Sequence, residues 1–153
     1  ALKPAHFLRH GGQILVLATP ATLHMEKFRH LMEQYGEGAV PVEGYGLVEC
    51  IESGHVAPDD PQLLSVLHKL LDPHLDVNAV VLGCTHYVFA REALRRIVPG
   101  AALVDGNEGT VRQLTRRLGE NGELEAEGEG GYELHTSGGE SIYLPLMEKL
   151  MSL

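Results

Sequence analysis

The sequence is short of the features that mark several large classes of protein. Cysteine occurs only at 50 and 84 in 153 residues, too few for a disulfide framework, so both thiols are expected to be free in a reducing cytoplasm. Positive charge is scarce, with 12 Lys and Arg against 21 Asp and Glu and a formal charge of −9. The basic residues are scattered and form no stripe to track phosphates, so nucleic acid is not an expected partner. No long uncharged apolar run is present, and no membrane span is expected. The opening ALKPAHFLRHGG lacks the apolar centre and small-residue cleavage site of a secretory signal, so no targeting segment is expected.

Two ligand fingerprints are missing as well. No G-x-G-x-x-G follows a strand pattern, which excludes a Rossmann dinucleotide site. Nine histidines are present, but no His-x-x-x-His pair is joined to a Cys or acidic cluster, and Cys84-x-His86 alone is a poor zinc site. No metal and no cofactor are expected. His24, His30, His55 and His68 are expected on solvated helix faces and loops.

What is present is enough apolar material, 44% of the chain, for one core. QILVLA at 13–18 is a continuous apolar run, the pattern of a parallel strand buried on both faces. Thr19 suits a helix cap and Pro20 a first helical position, after which Phe28, Leu31, Met32 and Tyr35 recur at helical spacing up to Gly36. AVPV at 39–42 reads as a second strand, and Leu47, Val48 and Ile51 as a short helix ending near Gly54. Asp60-Pro61 opens a helix with Leu63, Leu64, Leu67, Leu70 and Leu71 inward. A strand at 79–82 precedes a helix marked by Phe89, Leu94 and Ile97 and stopped by Pro99-Gly100. A strand at 101–104 precedes Val111, Leu114 and Leu118 at helical spacing. This alternation predicts an α/β fold with a largely parallel sheet flanked by helices.

The stretch GENGELEAEGEGG at 119–131 is acidic and glycine-rich, with too little apolar surface to hold a fixed structure, and reads as a mobile loop. Beyond it, YELHTSGG reads as one more strand and SIYLPLMEKLMSL as a closing helix. No internal repeat is evident.

The chemistry concentrates at Gly83-Cys84-Thr85-His86. In a parallel α/β sheet ligands gather outside the carboxyl ends of the strands, and these residues fall at such an end, just before a helix. A helix amino terminus favours anions, and with them the thiolate over the thiol. His86 can trade a proton with Cys84, and Thr85 can hold a carboxylate through its hydroxyl and N–H. A cysteine after a buried strand also serves simply as a small core residue, Glu52 as a solvated helix carboxylate and Thr19 as a helix cap.

GCTHY at the end of an apolar strand resembles the second cysteine motif of the cofactor-independent glutamate racemases, in the aspartate/glutamate racemase superfamily. KPA at 3–5 resembles the crossover between that family's halves. ILVLATPAT resembles its strand and Thr-x-Gly-Thr turn, and GLVECIESG its Leu-Val-x-x-Val-Glu helix. LVDGNEGT at 103–110 resembles the later Val-Asp-Ser-Gly segment, and LHTSGG the terminal strand and turn. The departures are Ala21 for a glycine, Glu43-Gly44-Tyr45 for Ala-Cys-Pro, and Val88 for a proline. Absent from the chain are an Asp-Ser-Gly-Gly-like start, a Pro-Tyr-Gly segment and the Cys-Asn-Thr motif of the first catalytic cysteine. The chain therefore resembles a carboxyl-terminal half, whether an excised domain, a proteolytic fragment or a truncated gene product.

The resemblance implies a second α/β domain over 1–103 carrying GCTHY, and a segment 104–153 that packs with an absent first domain. It implies interconversion of L- and D-glutamate by two thiols, supplying D-glutamate for peptidoglycan. Cys84 is implied for the face from which L-glutamate loses its proton, with His86 assisting and Glu52 in the proton network. Thr85 is implied to bind the substrate carboxylate, and Thr19 and Thr22 to line the site. Cys50 falls at an ordinary helix position. One thiol serves one face only, so the isolated chain is expected to be inactive and to associate with itself or with the missing half. The alternatives are a one-thiol relative, such as an arylmalonate-decarboxylase-like enzyme, and a noncatalytic carboxylate-binding module.

Overall fold

ILVLA has no polar side chain to send to water, so a strand made of it must be covered on both faces. In the computed structural model, which describes residues 1–125 and 128–153, it forms β1 (Ile14–Ala18), buried throughout. β3 (Ala79–Leu82) is also buried at every position. These two strands are central. β2 (Ala39–Glu43) and β4 (Ala102–Val104) lie outside them, only partly buried, in the order β2-β1-β3-β4. All three pairings are parallel. Pro41, which cannot donate to a ladder, sits exposed on the edge strand β2, where that loss is tolerated.

Side chains alternate across the sheet. Ile14, Val16, Ala79, Val81 and Val104 share one face with Leu2 and Ala5 of α1 (Leu2–Leu8) and with Phe28, Met32 and Tyr35 of α3 (Glu26–Tyr35). Leu15, Leu17, Val80 and Leu82 turn to the other face. There α4 (Leu47–Glu52), α5 (Pro61–Leu71) and α6 (Arg91–Ile97) pack on one another. They bury Leu47, Ile51, Leu63, Leu67, Leu71 and Leu94, each worth about 1.5–3 kcal/mol relative to exposure. The expected α/β architecture with a parallel sheet is the one observed.

Local chemistry shifts several expected boundaries. The helix expected across 20–35 is two: α2 (Pro20–Leu23) and α3, separated by Met25 in an extended conformation. His24 Nδ1 donates back to the Pro20 carbonyl at 2.7 Å, closing α2 after one turn. On α5, Leu63, Leu67 and Leu71 are buried, whereas Leu64 and Leu70 are half-buried. That helix is started by Asp60, which accepts the N–H groups of Gln62 at 2.8 Å and Leu63 at 3.2 Å. The segment after Cys84 is a 3₁₀ stretch, Thr85–Ala90, before α6 takes over.

The described residues divide into two compact units, Ala1–Gly106 and Asn107–Leu153. The second holds α7 (Asn107–Asn121) and α8 (Glu140–Met151), and corrects two expectations. Residues 119–121 are not loop: α7 runs through them and ends in a Schellman cap. Gly122, at φ 71°, donates to the Gly119 carbonyl, and Glu123 to that of Leu118 at 2.8 Å. Of the rest of the expected mobile loop, Ala126 and Glu127 lie outside the described residues. YELHTSGG forms no strand: residues 132–139 carry no ladder, and Gly138 N–H bonds locally to Thr136 Oγ1 at 3.0 Å. Period-two sequence makes a strand only where a sheet edge accepts its backbone.

Candidate functional site

From β1 the chain crosses through α2 and α3 to β2, on one side; from β3 it crosses through the 3₁₀ stretch and α6 to β4, on the other. The two connections part between β1 and β3, and at such a switch point a crevice opens outside the carboxyl ends of the strands. Thr19 ends β1 and Gly83-Cys84 ends β3. Gly83 N–H donates to the Leu17 carbonyl at 2.7 Å, holding the two ends together. A Cβ on Gly83 would lie 2.7 Å from that of Ala18 and 3.0 Å from the Leu17 oxygen. Only glycine permits that approach.

Cys84 leaves β3 extended, at φ −136° and ψ 143°, and is half-buried. Its Sγ lies 3.8 Å from His86 Nδ1, and His86 Nε2 lies 3.1 Å from Glu52 Oε1 at the end of α4. Thiol, imidazole and carboxylate thus stand in line, drawn from two segments 34 residues apart. With Glu52 accepting from Nε2–H, Nδ1 faces the sulfur as an acceptor when the ring is neutral and as a donor when it is charged. Such an arrangement is able to pass a proton. The His86 and Glu52 side chains are 34% and 52% exposed, so the pair adds only about 0–1 kcal/mol of stability and serves to orient the ring.

At the neighbouring strand end, Thr19 Oγ1 accepts the Thr22 N–H at 3.3 Å and lies 2.9 Å from Thr22 Oγ1. Thr19 is therefore a cap, and capping is what fixes Thr22 beside it. Thr85 is exposed as the first residue of the 3₁₀ stretch. The structure brings Cys84, His86 and Glu52 into contact, and sets Thr19 and Thr22 together on the adjacent strand end. An open groove lined by Leu23, His24, Phe28, Pro41, Glu43 and Tyr45 lies beside β2 and includes none of the three.

Cys50 is buried on α4, and burial, then the negative charge of Asp60, pushes its thiol up. His24, His30 and His68 are exposed. His55 departs from the expectation of a solvated residue: half-buried, its Nδ1 donates to Asp60 Oδ2 at 2.9 Å. Among the described residues no group of three or more His, Cys, Asp or Glu is placed to hold a metal ion.

Sequence reasoning passed over Tyr87. It is fully buried, and its hydroxyl donates to the Gly44 carbonyl at 3.2 Å. Burial first, then the charges of Cys84 and Glu49, push the phenol far above the ordinary tyrosine range. The available signal was a tyrosine inside GCTHY together with an unexplained glycine at 44.

No family model matches the chain. A glutamate racemase of Clostridium perfringens is 40% identical over 159 aligned residues, covering 100% of this chain and 60% of the relative. The crystal structure of glutamate racemase from Thermus thermophilus, in complex with β-chloro-D-alanine, matches 97% of this chain and 57% of its own at 28% identity and a TM-score of 0.70. That of Escherichia coli glutamate racemase, with L-glutamate and the activator UDP-MurNAc-Ala, matches 98% and 59% at 25% identity and a TM-score of 0.77. The fold is that of an α/β protein with a parallel sheet, and the relatives it matches are isomerases. More narrowly, the chain is similar over its whole length to proteins named glutamate racemase and corresponds to the carboxyl-terminal part of those relatives. It spans about 60% of the length of the curated relatives it matches. Among the described residues, no helix is long and apolar enough to cross a membrane.

Proposed function

We propose that this chain supplies one catalytic face of a cofactor-independent glutamate racemase, the face that acts on L-glutamate. The observation that carries the reading is the contact of Cys84, His86 and Glu52 at the carboxyl end of β3, in a chain whose relatives bear that name. Inverting an α-carbon requires removing its proton on one side and delivering another on the opposite side. In the proposed step the Cys84 thiolate takes the α-proton of L-glutamate, leaving the electron pair on the α-carbon. A second thiol on the opposite face delivers its proton to that carbon. His86, oriented by Glu52, then relays the proton from Cys84 to solvent and restores the thiolate, while solvent returns a proton to the second sulfur, so both groups regain their starting states. Thr85, Thr19 and Thr22 hold the substrate carboxylates by hydroxyl and N–H groups.

The second thiol cannot be Cys50, which is buried on α4; it lies outside these 153 residues. Residues 104–153 are proposed to pack with the first domain that carries it. The setting is the cytoplasm, where D-glutamate is made for peptidoglycan. Alone, the chain is expected to leave the optical activity of D-glutamate unchanged.

The test is to supply the amino-terminal part of a racemase in trans and follow deuterium uptake from heavy water, with a chelator present. Exchange is expected from both enantiomers, and Cys84→Ser is expected to abolish it from L-glutamate, since a positioned acid/base group contributes about 10²–10⁴-fold. Unchanged exchange from L-glutamate in that variant would exclude Cys84 as the base.

A further inference from the structure

We propose that Tyr87 is a positioning residue: through its hydrogen bond to the Gly44 carbonyl it sets the origin of α4, and so the place of Glu52 against His86. This deepens, and rests on, the reading of Cys84, His86 and Glu52 as a proton relay. Tyr87 directly follows His86, so anchoring its ring anchors the backbone that carries the imidazole. Its partner is 43 residues away, at the entrance to α4. The Gly44 carbonyl also accepts the Leu47 N–H at 3.3 Å, and the Gly44 N–H donates to the Ala18 carbonyl at 2.9 Å. One residue's backbone thus joins β1, the first turn of α4 and the segment following Cys84.

From that origin α4 rises about 1.5 Å per residue and is held by Leu47 and Ile51, both fully buried. Displacing its start therefore displaces Glu52 at its end. The fit at the origin is tight: a Cβ on Gly44 would fall 2.1 Å from the Tyr87 hydroxyl oxygen and 2.7 Å from the ring carbon bearing it. A buried hydroxyl costs free energy unless bonded, and a phenylalanine would fill the ring's space without that cost. The titratable groups around the pair are Cys84 and His86 from the segment of Tyr87, Glu43 and Tyr45 on either side of Gly44, and Glu49 and Glu52 from α4. With its phenol protonated throughout the neutral range, Tyr87 is a constant donor rather than a proton carrier.

The test uses the whole chain and reads the pH midpoint of Cys84 alkylation by iodoacetamide, with peptide mapping to separate it from Cys50. Glu52→Gln removes the carboxylate that orients the imidazole against the sulfur, and the midpoint is expected to rise. Tyr87→Phe is expected to raise it too, lowering the rate at neutral pH about threefold, which is roughly half a pH unit. Because the hydroxyl acts through Glu52, the double variant is expected to shift no further than Glu52→Gln alone. Gly44→Ala, which pushes on the same contact from the other side, is expected to raise the midpoint as well. Leu94→Ala, a packing change elsewhere, is expected to lower Tm without moving it. A midpoint unmoved in Tyr87→Phe and Gly44→Ala, or fully additive shifts in the double variant, overturns the positioning role while leaving the relay intact. A midpoint unmoved in Glu52→Gln removes the relay itself, and the role of Tyr87 with it.

Discussion

The two units of the chain are held together by different physics. In Ala1–Gly106 the sheet and its helices share a core running from Leu2 to Val104, with Leu15, Leu17, Leu63, Leu67 and Leu94 wholly enclosed. In Asn107–Leu153 neither α7 nor α8 has a buried residue, and Val111, Leu114, Ile142 and Tyr143 are exposed. What supports α7 is local: its Schellman cap and ion pairs one turn apart, Arg112 with Glu108 and Arg116 with Glu120. Such pairs contribute about 0.2–0.5 kcal/mol each, and helices below about 12–15 residues are marginal in water without packing. The first unit carries its own stability. The second presents apolar side chains that call for another surface.

Separating the units sharpens that contrast most. A chain ending at Gly106 is expected to unfold cooperatively, with a Tm close to that of the whole, whereas a 107–153 peptide is expected to show little helix by circular dichroism and no cooperative transition. The whole chain is expected to self-associate in sedimentation runs as its concentration rises, and the shortened one to stay monomeric. A cooperative melt of the peptide alone would break the comparison.

Single residues make the next cut. Leu67→Ala, in the first core, is expected to cost about 2–5 kcal/mol in denaturant unfolding because it leaves a cavity. Leu114→Ala, on α7, is expected to stay within about 0.5 kcal/mol, the usual range for a surface change. Equal costs would mean that the exposed face of α7 is covered in solution.

The same division runs through what the sequence discloses. The central strands are legible because ILVLA and AVVL are apolar at every position, and only two-sided burial accounts for that. The neighbourhood of Cys84, with His86 two residues on, is legible at the end of such a strand, although the place of Glu52 beside it came from resemblance rather than periodicity. The break at Met25 is hidden because a single side-chain bond from His24 closes α2. Composition misplaces the end of α7, where Gly122 acts as a cap rather than as loop. YELHTSGG has the alternation of a strand, but pairing depends on an edge supplied from elsewhere. The Tyr87 to Gly44 bond has no sequence period at all, since it joins distant positions through one hydroxyl.

The smallest expected effect comes from a device that the first unit has at the head of α5. Asp60 caps the helix with one oxygen and receives His55 Nδ1 on the other. The bond from His55, then the N–H groups of Leu63 and Gln62, hold its carboxyl below the usual aspartate range. A carboxyl depressed in the folded state contributes stability that is fully present above its unfolded value, near 3.9, and is lost as pH falls through the lower folded value. Asp60→Asn keeps a capping oxygen but gives up the charge. The Tm advantage of the natural chain over Asp60→Asn is therefore expected to shrink below about pH 4 and to vanish once both states are protonated. In the chain ending at Gly106 the same curve is expected, because cap, histidine and helix all lie before that point. A Tm difference that stays flat down to about pH 2 would show that Asp60 acts as a neutral cap, with His55 only resting against it.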